Sequence, residues 1–213
     1  MTARSVLPIV VTAAAAVVGF AAVYVTLGGG DNAPGATTRA ARSAAADAPA
    51  SPPGANGKLN VGQVTGFVYK KPPEPMAEVA FKDGSGKDLR LDQWKGRVVL
   101  LNLWATWCAP CRHEMPGLAR LQSELGSKDF EVVALALDRA GPEAAQRFLD
   151  SIKADTLRLY IDVTARGGPA LRVIGMPTTI LIDREGREVG RMTGPAEWDS
   201  PEAKRLVQSV IGG

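Results

Sequence analysis

The chain has 213 residues, 46% of them hydrophobic and 22% charged, with a formal net charge of +3. That length and composition suit one globular domain with extensions and exclude a chain too polar to build a core. From Lys70 onward the two signs of charge nearly cancel, and no basic stripe interleaves with aromatics, so nucleic acid is excluded as a partner.

The first element is apolar. Val6–Leu27, "VLPIVVTAAAAVVGFAAVYVTL", runs 22 residues without a charge. At about 1.5 Å per residue it spans roughly 30 Å of hydrocarbon. Arg4 and the α-amino group precede it, which favours an N-terminus inside the cytoplasm. Residues 1–27 are therefore expected to form a transmembrane anchor. A cleaved signal peptide is the alternative, with "GFAAV" as the cleavage region. Either reading exports the rest of the chain.

Gly28–Gly57 is two-thirds Ala, Gly and Pro and has no aromatic residue. Such a stretch buries too little apolar surface to offset its ordering entropy. Residues 28–70 are expected to be a flexible tether, with "KKPPEP" at 70–75 as the lead-in to a domain over 71–213.

Within that domain, "EVAFKDGSGKDLRLDQWKG" alternates around a "DGSG" turn and predicts a hairpin. "RVVLLNLWA" is almost wholly apolar, as a strand buried on both faces should be. Met115, Leu118, Leu121, Gln122 and Leu125 then recur at helical spacing up to Gly126. "FEVVALALD" predicts a second buried strand, "GPEAAQRFLDSIKA" a helix opened by Pro142, and "LRLYID" a strand. A short helix in "VTARGGPALRVIG", strands "TTILID" and "VGRMT" around the turn "REGRE", and a last helix capped by Ser200 complete the pattern. Strands alternating with helices predict an α/β domain whose sheet is covered on both faces.

The only two cysteines, Cys108 and Cys111, fall where the first buried strand gives way to a helix. A sulfur at a helix N-terminus meets free N–H groups and the positive end of the helix dipole, which favour a thiolate. The thiolate is the reacting form in disulfide exchange. Cys111 stands three residues on, close enough to close a small-loop disulfide. Pro110 stiffens the turn, and Trp104 and Trp107 are expected to shield the site and offer a docking surface. Three other uses of the pair remain open. A zinc site needs two more Cys or His, and only His113 is left. A structural disulfide over so short a loop constrains the unfolded chain least. Copper(I) would suit two thiolates. Extra thiols would cross-link in an oxidising envelope, which explains why the chain has none.

"NLWATWCAPCRHEMPGL", the later "VIGMPTTILID" and "GPAEW" together resemble the TlpA-like branch of the thioredoxin superfamily, over about residues 75–213. The resemblance implies a thioredoxin-like fold, with a central mixed sheet flanked by helices. It implies that Cys108 attacks, that Cys111 resolves, and that Pro177 is a cis-proline opposite the disulfide. Trp107, Pro110, Met176 and Pro177 would then contact the substrate. One departure is informative. Asn102 stands where thioredoxins carry a buried aspartate, and it cannot take a proton. Glu114, three residues after Cys111 on the same helical face, is expected to tune the thiols instead, against the alternative of a solvated first-turn glutamate. Phe130–Ile161 adds a helix and a strand to the smallest thioredoxins.

By resemblance the chain is an inner-membrane protein, single-pass, with its domain in the periplasm and acting as a dithiol reductase. Its clients would be a Sco-type copper chaperone and the copper subunit of cytochrome oxidase, or apocytochrome c, and its electron donor a DsbD- or CcdA-type membrane protein. No metal and no cofactor beyond the Cys108–Cys111 disulfide is expected. A disulfide-forming oxidase and a copper(I) metallochaperone remain as rivals.

Overall fold

The computed structural model describes residues 59–213. The anchor expected over 1–27 and the tether residues up to 58 lie outside the described residues. Among the described residues no helix is long and apolar enough to cross a membrane.

Eight strands form one sheet in the order β1-β8-β7-β4-β5-β6-β2-β3. Its centre is β4 (Val98–Trp104), which pairs parallel with β5 (Phe130–Ala136) and antiparallel with β7 (Thr178–Ile182). On one side β8 (Arg187–Thr193) and β1 (Val68–Pro75) extend it antiparallel. On the other, β6 (Tyr160–Ile161) runs parallel to β5, and β2 (Ala80–Asp83) and β3 (Asp88–Arg90) complete it. The sheet is therefore mixed, and the "DGSG" hairpin is β2–β3.

Strand β4 shows why the sheet is buried on both sides. Val98, Leu100 and Trp104 join one core, while Val99, Leu101 and Leu103 join the other. Side chains alternate across a strand, so a strand with no polar face needs cover on both. The first core holds residues of the three longer helices: α1 (Ala109–Leu125), α2 (Pro142–Ser151) and α4 (Pro201–Ile211). The second is closed without a long helix, by Phe81, Trp94, Tyr160 and Leu171, the last following the four-residue α3 (Gly167–Ala170). Helix α4 begins at Ser200, whose Oγ accepts from the Ala203 N–H at 3.3 Å.

The domain starts earlier than expected. Val64 and Phe67 are buried in the first core, and β1 opens at Val68, so the expected tether boundary at residue 70 is wrong on the domain side. "KKPPEP" is strand, not lead-in. Prolines are tolerated there because β1 is an edge strand that need not donate outward. Its register with β8 breaks between Tyr69 and Glu74, across Pro72 and Pro73. Gly190 makes the pairing possible: a Cβ there would lie 2.5 Å from the Val68 carbonyl and 2.6 Å from the Phe67 ring. "LRLYID" shrinks to the two-residue β6, with Leu157 and Leu159 buried in the loop before it.

Candidate redox site

Strand β4 ends at Trp104, and four residues later Cys108 is the N-cap of α1. The Cys111 backbone N–H donates to Cys108 Sγ at 3.3 Å, the contact an N-cap side chain makes with the third residue of its helix. Cys108 and Cys111 form a disulfide. Cys111 is fully buried and Cys108 nearly so, and Pro110 occupies the first turn. The pair thus sits on the positive end of a 17-residue helix, where negative charge on sulfur is stabilised.

The turn leading to Cys108 is bolted to β5 by Asp138. Its Oδ2 accepts from the Thr106 N–H at 2.8 Å and from the Thr106 hydroxyl, while Oδ1 accepts from the Ala140 N–H at 2.9 Å. Burial raises this carboxyl, and the three donors outweigh it, so it lies below the ordinary carboxylate value.

Facing the disulfide is the segment before β7. The Met176–Pro177 peptide is cis. Trp107–Pro110 and Val173–Met176 line a shallow cavity of about 510 Å³ with no charged side chain in its wall. Trp107, Pro110 and Met176 are therefore brought together with Cys108, whereas Pro177 is buried behind the wall. Trp107 is 69% exposed beside the sulfur, and Trp104 corrects the expectation of two shielding tryptophans. Trp104 is wholly buried, packs on Phe148 at 5.3 Å and donates to the Ala134 carbonyl at 3.3 Å. Strand alternation sends it into the core with Val98 and Leu100.

Glu114 is not a solvated glutamate. It is 4% exposed, under the disulfide on the same helix face as Cys111. Its Oε1 accepts from Asn102 Nδ2 at 2.6 Å, and its Oε2 accepts from the Ala196 N–H at 3.1 Å and Trp198 Nε1 at 3.2 Å. No cation pairs with it among the described residues. Burial pushes its carboxyl from 4.5 up to about 7, although the Asn102, Ala196 and Trp198 donors each pull the other way. Asn102 also donates to Thr179 Oγ1 at 3.0 Å, and its Oδ1 is buried without a partner. Gly117 lets the 194–199 loop reach this position: a Cβ there would meet Asp199 Oδ1 at 2.8 Å.

Ala196, Trp198 and Asp138 are the contributors that sequence reasoning did not assign. "GPAEW" signals the first two only once the fold has brought it against α1. His113 is exposed, and among the described residues no group of three or more His, Cys, Asp or Glu could hold a metal ion.

A sulfur pair on a helix N-terminus, a cis-proline segment facing it and a parallel–antiparallel sheet beneath are the frame that the Redoxin family profile matches over residues 71–207. The chain belongs to the Redoxin family. Its fold is thioredoxin-like. It is similar to the thiol-disulfide oxidoreductase ResA of Bacillus thuringiensis subsp. konkukian, with 34% identity over 115 residues, 53% of this chain and 64% of that protein. It is similar too to the thiol:disulfide interchange protein HelX of Rhodobacter capsulatus, with 34% identity over 127 residues, 59% of this chain and 65% of that one. These matches span just under two thirds of the relatives' own length. Among solved structures, a thiol:disulfide interchange protein DsbE from Chlorobium tepidum superposes with a TM-score of 0.59 at 29% identity, covering 66% of this chain and 97% of that one.

Proposed function

We propose that this Redoxin-family chain is a thiol–disulfide oxidoreductase working as a dithiol reductase of partner proteins. The observation that carries the reading is Cys108 at the N-cap of α1, its sulfur taking the Cys111 N–H beside an apolar cavity.

In the reduced state the Cys108 thiolate attacks one sulfur of a partner disulfide. A mixed disulfide forms, and the partner's other sulfur leaves as a thiolate. The Cys111 thiolate then attacks Cys108 Sγ, the chain's own disulfide closes, and the second partner sulfur leaves. Two electrons pass from the Cys108–Cys111 dithiol to the partner, whose two thiolates take up protons. Trp107, Pro110 and Met176 wall the approach, and Pro177 holds the segment that faces the disulfide.

Glu114 holds or releases the proton that Cys111 must lose. A carboxyl poised near neutral pH suits that exchange. Asn102 fits both protonation states, because its amide offers an N–H to the carboxylate and, turned over, a carbonyl to the acid.

The periplasm is the proposed compartment, with Val6–Leu27 as the inner-membrane anchor and a DsbD- or CcdA-type protein supplying electrons. The TlpA-like resemblance favours the copper-centre assembly of cytochrome oxidase as the process served. Cytochrome c maturation is its nearest relative in chemistry.

Trapping tests the reading. Cys111→Ser is expected to accumulate a mixed disulfide through Cys108, identifiable by mass and released by dithiothreitol. A variant that traps nothing, in a protein whose potential lies near the roughly −120 mV of a strong oxidant instead of the roughly −270 mV of thioredoxin, would contradict it.

A further inference from the structure

Four large apolar side chains stand exposed among the described residues: Val68, Trp107, Val163 and Ile174. Exposed apolar residues scattered singly are ordinary, but adjoining ones mark contact surfaces. Three of these four line two adjoining cavities that share Ile174 and together make up a trench. Trp107 and Ile174 wall the cavity beside Cys108, and Ile174 and Val68 wall the next cavity, of about 590 Å³, between β1, β8 and the end of α3. Ile174, 91% exposed, is the shared wall. Val163 lies elsewhere, against the β2 edge.

The two halves of the trench differ in charge. The half beside the disulfide has no charged wall. The far half holds Lys70, Glu74, Arg172, Glu188 and Arg191. Glu188 is clasped by Arg191 at 2.5 and 2.6 Å, and Glu74 is paired with Lys70 at 3.0 Å. Both acids are thus answered within the trench. Arg172 is exposed and makes no ion pair among the described residues. It is the one unmatched charge, and it is positive.

We propose that this trench receives an extended segment of the disulfide-bearing partner, which lays an apolar side chain over Ile174 and a carboxylate against Arg172. The inference rests on the oxidoreductase reading and adds a substrate class to it. Arg172 is four residues from Met176, a span of at most about 14 Å, so the carboxylate belongs within about four residues of the partner's reacting cysteine. The apolar contact would anchor the segment, and the rim charge would select among clients.

The reduced full chain is assayed with two nonapeptides carrying a central cysteine as its thionitrobenzoate disulfide, Leu two residues to each side, and either Glu or Lys at both ends. Dithiodipyridine, small and neutral, serves as the reference disulfide. At low salt the wild type is expected to react about threefold faster with the Glu peptide, the scale of an exposed ion pair. Arg172→Glu is expected to reverse that preference, and the charge-matched Arg166→Glu, at the Val163 edge, to keep it. Ile174→Ser is expected to slow both peptides by a larger factor than it slows dithiodipyridine. A Glu-to-Lys ratio that moves equally in the two arginine variants overturns the proposal. So does a peptide rate that rises in Ile174→Ser, as it would if residues 28–57 of this chain or a second copy covered the trench. A reduced wild type inert even to dithiodipyridine would instead overturn the oxidoreductase reading beneath it.

Discussion

Two buried glutamates, each bonded to a tryptophan N–H, divide the labour of this domain. Glu131 on β5 accepts from Trp94 Nε1 at 3.0 Å and from the Tyr160 hydroxyl at 2.6 Å, and it pairs with the Arg97 guanidinium at 2.7 Å. Around it, Phe81, Trp94 and Tyr160 meet with ring centroids 5.5–5.8 Å apart. Glu114 on α1 has amide and indole donors and no cation. A buried carboxylate with a guanidinium beside it is a brace between elements. One with only neutral donors is poised to exchange a proton. The second kind lies under the disulfide, and the first lies where Trp94 and Tyr160 pack against β5. Local chemistry, more than burial itself, separates structure from function here.

Glu114→Gln breaks the comparison hardest. In the folded oxidised protein Glu114 titrates near 7 against an ordinary 4.5, so between those values the folded state binds more protons than the unfolded one. Wild-type stability should therefore be fully present below about 4.5 and fall as pH rises toward 7, by about 3 kcal/mol in all. Urea unfolding across that range should show the slope in the wild type and lose it in Glu114→Gln.

Glu131→Ala should cost about 2 kcal/mol, because it leaves the Trp94 indole N–H without its acceptor and takes the carboxylate away from Arg97 and Tyr160. Arg97 is 30% exposed, which lowers the figure below that of a fully buried pair. Denaturation midpoints measure it, and the rate of Cys108 alkylation should stay as in the wild type.

The two tryptophans sharpen the contrast with smaller effects. Trp198→Phe removes a donor that favours the charged Glu114, so the pH midpoint of thiol reactivity should move up, with a loss of about 1 kcal/mol. Trp94→Phe should cost a similar amount and leave that midpoint in place. Alkylation rates across pH, beside urea midpoints, separate the two.

Much of this was legible in the chain because the signals are local. A continuous apolar run ending three residues before Cys108, Pro110 in the first turn and the helical spacing of Met115, Leu118 and Leu121 placed the sulfur pair on a helix N-terminus. Ser200 before Pro201 placed the start of α4. Glu114 shows where locality fails. Its spacing from Cys111 was readable, but its burial depends on donors 82 and 84 residues further on, delivered by the loop that passes Gly117. Trp104 adjoins the motif of Trp107 in sequence, but the two-residue strand period sends it into the core. Strand β1 was hidden by its prolines, which an edge strand accepts and a central one does not. Membership of the trench could not be read at all, since Val68 and Ile174 meet only when β8 pairs with β1.

The most direct test of the account is the rate of Cys108 alkylation by iodoacetamide in the reduced full chain, measured from pH 4 to 9 in the wild type, Glu114→Gln and Glu131→Gln. The account predicts two inflections in the wild type and in Glu131→Gln, one for the sulfur and one near 7 for the carboxyl, with the second missing from Glu114→Gln. Superimposable profiles for the wild type and Glu114→Gln would contradict it.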